Sequence, residues 1–442
     1  MNQLVIPEGV PATAGPPSAD ILAELRRRGL VHDFTPEAEG YLARHRAAVY
    51  CGFDPTADSL HLGNLVSIML LVHFQRAGHR PVAVVGGATG MVGDPSGKSA
   101  ERNLLDEATL RHNEAAIKLQ LERFLDFTPG PTQAMIVNNY DWTRDVSFLT
   151  FLRDIGKHLT VSYMMAKDSV QRRLDTGLSF TEFSYQLLQA FDFVHLYQTY
   201  GVRVQVGGSD QWGNITSGTE LIRRMTGGEA YALTAPLLTK ADGSKFGKSE
   251  QGNVWLDSRL TSPYKFYQFL LNQSDADVDR LLRVFSLRSV NEIEATLAAS
   301  DADRGLRLAQ RALAEELTTR VHGAEALARA IEASEILFGG APAEVLTRLS
   351  AAELLDILDG VPQGIVSRAE LDAKPTVVDF VVAAGALPSK GEARRLIQGG
   401  GLSINKTKVA DLAATLGVEQ LLADRYVLIQ KGKRAYHLAV VE

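Results

Sequence analysis

The chain has 442 residues, enough for two or three domains with cores of their own. With 45% hydrophobic and 22% charged residues and a net charge of -6, it reads as an ordinary globular protein. That balance argues against nonspecific coating of nucleic acid while leaving room for a local RNA-binding face. A single cysteine, Cys51, excludes an intrachain disulfide framework and a cysteine-rich zinc ribbon, and no apolar run approaches the roughly 20 residues that span a bilayer.

Residues 1–20 carry Pro11, Pro16 and Pro17 and lack a basic start leading into a long apolar stretch, so they read as a flexible tail and the protein as cytoplasmic. The spacing over 21–29 predicts a first helix. Residues 48–53, Ala-Val-Tyr-Cys-Gly-Phe, read as a short buried strand, and Asp54-Pro55-Thr56 turns the chain out of it. Leu65, Ile68, Met69 and Val72 then recur at helical spacing. His61-Leu62-Gly63-Asn64 would therefore open a helix whose first amides point at any bound anion, with Gly63 leaving room for a ligand. Taken alone, the same four residues fit a plain helix cap. Apolar runs at 80–87, 134–137 and 202–206, separated by helical patterns, predict the parallel strands of a doubly wound sheet, whose ligands bind at strand carboxyl ends.

After Ser262-Pro263 the pattern turns mostly helical, with 304–334 very poor in strand formers, until Gly339-Gly340-Ala341-Pro342 ends it. Residues 346–373 read as a connection with a possible strand at 364–366. From 376 onward two short helices, the glycines 399–401, and strands at 402–405 and 426–441 suggest a compact α+β module. The expected organisation is a tail (1–20), an α/β Rossmann-like catalytic domain with a doubly wound parallel sheet (21–250), an α-helical domain (251–340), a linker (341–373) and a small α+β module (374–442).

A second polar motif, Lys245-Phe246-Gly247-Lys248-Ser249, follows a run of turn formers. Two lysines three apart around a glycine can close over phosphate oxygens as point charges, which suits a group whose charge is moving. An exposed basic loop would look the same. Tyr185, Gln189 and Asp192, spaced by four and then three, share one face of a helix within an otherwise apolar stretch. A helix face turned to water fits that spacing equally well.

The two motifs, in this order and a domain's length apart, resemble the signatures of class I aminoacyl-tRNA synthetases, His-Ile-Gly-His and Lys-Met-Ser-Lys-Ser. The segments 50–56, Val92-Gly93-Asp94-Pro95-Ser96, Phe183-Ser184-Tyr185 and Gly207-Gly208-Ser209-Asp210-Gln211-Trp212 are similar to the bacterial tyrosyl members, from about residue 21 to the C-terminus. Asn64 departs from the second histidine: an amide can donate to an oxygen but carries no charge. Phe246-Gly247 replaces Met-Ser, as is usual in the tyrosine enzymes.

The resemblance implies tyrosine, ATP with Mg²⁺, and tRNA(Tyr) as substrates, a homodimer, and no structural metal or membrane segment. It implies that Tyr50 and Asp192 face the phenol, and that Asp94, Tyr185 and Gln189, with Gln211 nearby, take the ammonium. His61 and Asn64 would meet the ATP phosphates and ribose region, Asp210 and Cys51 the ribose hydroxyls. Gly52, Gly63, Gly208 and Ser249 would border the nucleotide and Asp54 orient substrate. Lys98, Arg102, Lys245 and Lys248 would hold the pyrophosphate in the transition state. The tail module is similar to a small RNA-binding fold, with Lys390, Arg394 and Arg395 as phosphate contacts from a helix opened by Ser389. A tryptophanyl enzyme, an RNA-binding protein with a synthetase-like body, and a small-molecule nucleotidyltransferase are the competing readings. Tyr50 with Asp192 favours a phenol over an indole.

Overall fold

A computed structural model describes residues 17–96, 105–174, 177–241, 243–244, 246–249, 252–338, 343–358, 361–432 and 435–442. Strands β1 (Asp33–Phe34), β2 (Ala48–Phe53), β3 (Arg80–Val85), β4 (Met135–Asn138), β5 (Val202–Gly208) and β6 (Tyr231–Ala235) form one sheet in the order β1-β6-β5-β2-β3-β4. Every neighbouring pair is parallel except β1 with β6. The apolar runs at 48–53, 80–87, 134–137 and 202–206 thus become β2 to β5. β1 and β6 are additions: one is two residues long, and the other, Tyr-Ala-Leu-Thr-Ala, mixes strand and helix formers.

From β2 the chain winds to β3 and β4 on one side, then returns to place β5 and β6 on the other. The boundary between β2 and β5 is therefore the switch point at which ligands bind in open parallel sheets. The helix Leu62–Arg76 follows β2 and buries ten side chains. Just beyond it Gly78 adopts φ +93, and an added Cβ would lie 2.8 Å from Ser18 N. Ser18 N–H donates to Ala77 O at 2.9 Å and the Asp20 carboxylate caps the helix Ile21–Arg27, so the end of the expected tail is held in place.

Contacts divide the chain into two units, Met1–Thr261 with Leu270–Val321, and Ser262–Phe269 with His322–Glu442. The helical stretch expected at 251–340 is shared between them. In the first unit the helices Asp275–Phe285, Val290–Ala302 and Leu308–His322 follow the sheet. Their connection is fixed by the buried Arg28 guanidinium, which donates to Ser286 O and Arg288 O, both at 2.6 Å.

In the second unit a five-stranded sheet runs in the order Thr407–Lys408, Leu402–Ile404, Tyr426–Lys431, Ala435–Val441, Gln363–Val366. Its last pair alone is parallel. The possible strand at 364–366 forms, so the stretch expected as linker supplies one edge of this sheet. Helices Val377–Ala383 and Lys390–Gln398 contribute Phe380, Val381, Ala393 and Ile397 to the same core as Leu402, Val427 and Ala439. Among the described residues no helix is long and apolar enough to cross a membrane.

Candidate active site

The carboxyl ends of β2 and β5 open onto a cavity of about 490 Å³. β2 is buried along its length except at Gly52, where an added Cβ would meet no protein atom within 4 Å. That vacancy faces the cavity, and a ligand can lie flat on the strand there. Of the residues expected at the site, Tyr50, Cys51, Gly52, Asp54, His61, Gly63, Asn64, Asp94, Tyr185, Gln189, Asp192, Gly208, Asp210 and Gln211 all line it. Residues distant in sequence therefore converge on one space.

Among the lining residues, Asp192 is buried on the helix Phe180–Tyr200. Its carboxylate accepts hydrogen bonds from Asn139 Nδ2 at 2.9 Å and Trp142 Nε1 at 2.8 Å. Burial pushes this carboxyl up to about 7, against the pull of those two donors, with a smaller upward push from Asp54. Tyr50 lies close enough for burial, and then the charge of Asp192, to hold its hydroxyl well above the ordinary tyrosine value. The Tyr50 hydroxyl is buried without a hydrogen-bond partner. Leaving such a group unpaired costs about 1–3 kcal/mol, so a ligand oxygen that accepts from it regains that amount.

Asp54 accepts from Tyr185 OH at 2.9 Å and Thr89 Oγ1 at 2.8 Å. Burial, and next the charge of Asp54, raise the Tyr185 hydroxyl well above its usual value, so it remains a donor. Asp94 is held by Gln211 Nε2 at 2.7 Å, by Ser96 N–H at 2.9 Å and by Asn214 Nδ2 at 3.3 Å. With Asp210, four carboxylates thus border one cavity, an arrangement that favours a cation within it. Burial lifts the Cys51 thiol, on β2 itself, to about 12, which keeps it protonated.

His61 is the N-cap of the helix Leu62–Arg76: its Nδ1 accepts from Gly63 N–H at 3.0 Å, while Asn64 Oδ1 accepts from His61 N–H at 3.1 Å. This reciprocal cap turns the Asn64 amide so that its NH₂ is the outward end, and puts the neutral His61 ring proton on Nε2. Both residues are donors toward the cavity for that reason. Gly247, at φ +86, approaches this helix start, and a Cβ there would lie 3.0 Å from Gly63 N and 3.2 Å from Leu62 Cβ. Val254 N–H donates to Gly247 O, and Leu62 N–H donates to Val254 O, both at 2.9 Å, tying the loop to the helix start. The two sequence motifs therefore meet. Lys98, Arg102 and Lys245 lie outside the described residues, and Lys248 and Ser249 are placed by backbone alone, as a short strand paired with Gly252–Asn253.

Residues that the sequence reading missed include Thr89, Asn139, Trp142 and Asn214. The polar run Asn138-Asn139-Tyr140-Asp141-Trp142 begins at the carboxyl end of β4, and that position was the available signal. In the second unit Ser389 caps the helix Lys390–Gln398, on which Lys390, Arg394 and Arg395 are exposed. Lys390 Nζ is paired with Asp379 at 2.7 Å. Among the described residues no group of three or more His, Cys, Asp or Glu could hold a metal ion.

Comparison with known proteins follows the same outline. A family model described as tRNA synthetases class I (W and Y) matches residues 42–339, and one for a tyrosine–tRNA ligase C-terminal domain matches 353–439. The tyrosine–tRNA ligase of Porphyromonas gingivalis is 58% identical over 96% of this chain and 100% of its own length; that of Bacteroides fragilis is 55% identical over the same shares. Among solved structures, a C-terminally truncated mitochondrial tyrosyl-tRNA synthetase of Aspergillus nidulans superposes with a TM-score of 0.66 at 29% identity. It covers 72% of this chain and 94% of its own.

Proposed function

Since this chain belongs to the class I tyrosine–tRNA ligases, we propose that the cavity beside β2 and β5 is where its adenylation step takes place. The enzyme activates L-tyrosine with ATP, releases pyrophosphate, and transfers the tyrosyl group to the 3′ end of tRNA(Tyr). In our reading the phenol enters between Tyr50 and Asp192, donating to the carboxylate and accepting from the tyrosine hydroxyl. Asp94, Tyr185, Gln189 and Gln211 surround the ammonium, and Asp54 orients the substrate. The nucleotide lies over Gly52, Gly63 and Gly208, its phosphates toward His61, Asn64 and the helix N-terminus, its ribose toward Asp210 and Cys51. Mg²⁺ would accompany ATP as part of the substrate and would add positive charge against its phosphates.

The tyrosine carboxylate attacks the α-phosphorus in line and the bond to pyrophosphate breaks, so no protein nucleophile is needed. Positioning and charge stabilisation carry the rate, the latter from Lys98, Arg102, Lys245 and Lys248 with Ser249 as a further donor. The helical region and the C-terminal module hold the tRNA, with Lys390, Arg394 and Arg395 on its phosphates. Phe148, Leu149, Val161 and Phe180, which the single chain leaves exposed, support assembly as a homodimer. We place the enzyme in the cytoplasm, with its tRNA.

The observation that carries this reading is the unpartnered Tyr50 hydroxyl beside the Asp192 carboxylate, a donor and an acceptor arranged for a phenol. Amino-acid-dependent ATP–pyrophosphate exchange without tRNA tests it. Exchange is expected with tyrosine and not with phenylalanine or tryptophan. Tyr50→Phe should lower the tyrosine-to-phenylalanine ratio about tenfold while leaving Tm unchanged or slightly higher, because the deleted hydroxyl has no partner in the free protein. An unchanged ratio removes Tyr50 from the phenol.

A pH dependence follows as well. The phenol donates to ionised Asp192, so the KM for tyrosine should rise as pH falls below about 7, while that for phenylalanine stays level. Stability moves the other way. The folded carboxyl keeps its proton to a higher pH than the unfolded one, so this contribution is present below the unfolded value and is lost as pH rises through about 7. Tyrosine KM and Tm of the free protein, measured from pH 5.5 to 8.5, check both signs.

A further inference from the structure

The Asp192 and Asp54 carboxylates are joined by a hydrogen-bonded chain whose direction is fixed at each link. Ala88 N–H donates to Asn139 Oδ1 at 2.7 Å, which settles the orientation of the Asn139 amide. Its two N–H groups then go to Asp192 Oδ2 at 2.9 Å and Thr89 Oγ1 at 3.0 Å. With its oxygen accepting from Asn139, the Thr89 hydroxyl sends its own hydrogen to Asp54 Oδ1 at 2.8 Å, and Tyr185 supplies the other Asp54 oxygen at 2.9 Å. A neutral amide has two donors and a hydroxyl one, so none of these groups has hydrogens to spare. Asn139, Thr89, Asp192 and Tyr185 are all buried. At Gly86 an added Cβ would fall on Asp54 Oδ1 and lie 2.5 Å from Thr89 Oγ1, so the backbone keeps clear space for this junction.

We propose that Thr89 is a positioning residue that couples the phenol subsite to the Asp54–Tyr185 pair, so that tyrosine selectivity depends on contacts made at the far end of the chain. The proposal rests on the reading that Asp192 receives the phenol. If Thr89 loses its hydroxyl, one Asn139 N–H has no acceptor, the amide is held only by Ala88 N–H and Asp192, and Asp192 is less firmly aimed. Conversely, when Tyr185 loses its hydroxyl, Asp54 draws more strongly on Thr89, and the disturbance passes through Asn139 to Asp192. Hydrogen bonds in low-dielectric surroundings polarise one another, which gives such a chain an effect beyond its separate links.

The test compares kcat/KM for tyrosine and phenylalanine in pyrophosphate exchange. Thr89→Val, equal in shape but without the hydroxyl, is expected to lower the tyrosine-to-phenylalanine ratio about tenfold, and Thr89→Ser to restore it. Tyr185→Phe acts on the ammonium of both amino acids alike, so without coupling the ratio would not move. A fall of about threefold is expected, and none beyond that of Thr89→Val in the double variant. A ratio untouched by Tyr185→Phe, or losses that multiply in the double variant, would overturn the coupling. Tyr185→Phe alone decides if Thr89→Val does not fold. Asp192→Asn separates the two readings. If it leaves the ratio intact the phenol site itself is misplaced; if it collapses the ratio while the Thr89 and Tyr185 variants do not, only the coupling fails.

Discussion

Asp192→Ala is expected to lower kcat/KM for tyrosine about a thousandfold while changing that for phenylalanine little, so that the enzyme loses its preference and remains folded. The expected size comes from the buried phenol, which loses its charged acceptor and is left as an orphaned donor. Asn139 and Trp142, which donate to this carboxylate at 2.9 and 2.8 Å, lose theirs whichever amino acid binds and so do not enter the preference. A hydrogen bond to a charged group contributes about 1.5–3 kcal/mol, and an orphaned buried donor costs about 1–3 kcal/mol. Sites built to hydrogen-bond a substrate hydroxyl reject the analogue lacking it far more strongly than packing can, and tyrosyl-tRNA synthetases are themselves the established example. Stability should fall by much less. Alanine leaves a polar void in which water can meet the two donors, and it removes a carboxyl that burial already disfavours in its charged form. Exchange kinetics with both amino acids and a thermal melt measure the two quantities; an unchanged tyrosine KM would take Asp192 out of the phenol site.

Legibility in the sequence followed the local character of each signal. β2, β3 and β5 are apolar runs ended by glycine or proline turns, and the helix Leu62–Arg76 has its own periodicity and cap, so their approximate bounds could be read directly. β1 is two residues long and exists because a sheet edge holds it; no local propensity announces such a strand, whereas Ile365-Val366 already marks the other edge strand, Gln363–Val366, as possible. The same division runs through the site. Asp192 and Tyr185 stand out as polar residues on an apolar helix, whereas Asn139 and Thr89 matter only because β4 and the turn after β3 lie beside that helix in space. The capping role of Asn64 was hidden for a related reason: read as a replacement for histidine it is a lost charge, and seen at the helix start it is half of a reciprocal cap.

Lys248→Ala and Gly247→Ala should both slow adenylate formation and leave tyrosine binding in the absence of ATP unchanged, by different routes to one end. Lys248 is proposed to meet charge that develops on the leaving pyrophosphate, and removing one such stabilising group typically lowers kcat by about 10²–10³. Gly247 bears no charge, but it sits at φ +86 with 3.0 Å between a would-be Cβ and Gly63 N. Alanine there is strained by about 1–3 kcal/mol and presses on the helix start, so the loop relaxes away from it. The lysine is then present but misplaced, and a kcat loss of about tenfold or more is expected. If the task of Gly247 is to set Lys248 in place, the double variant should be no slower than Lys248→Ala alone, because a loop without its charge has nothing left to position. Single-turnover rates of adenylate formation for the three variants, with tyrosine affinities measured separately, test this. Losses that multiply would show that Gly247 serves the helix start in its own right. A parallel loss of tyrosine affinity in Lys248→Ala would remove that lysine from the leaving group.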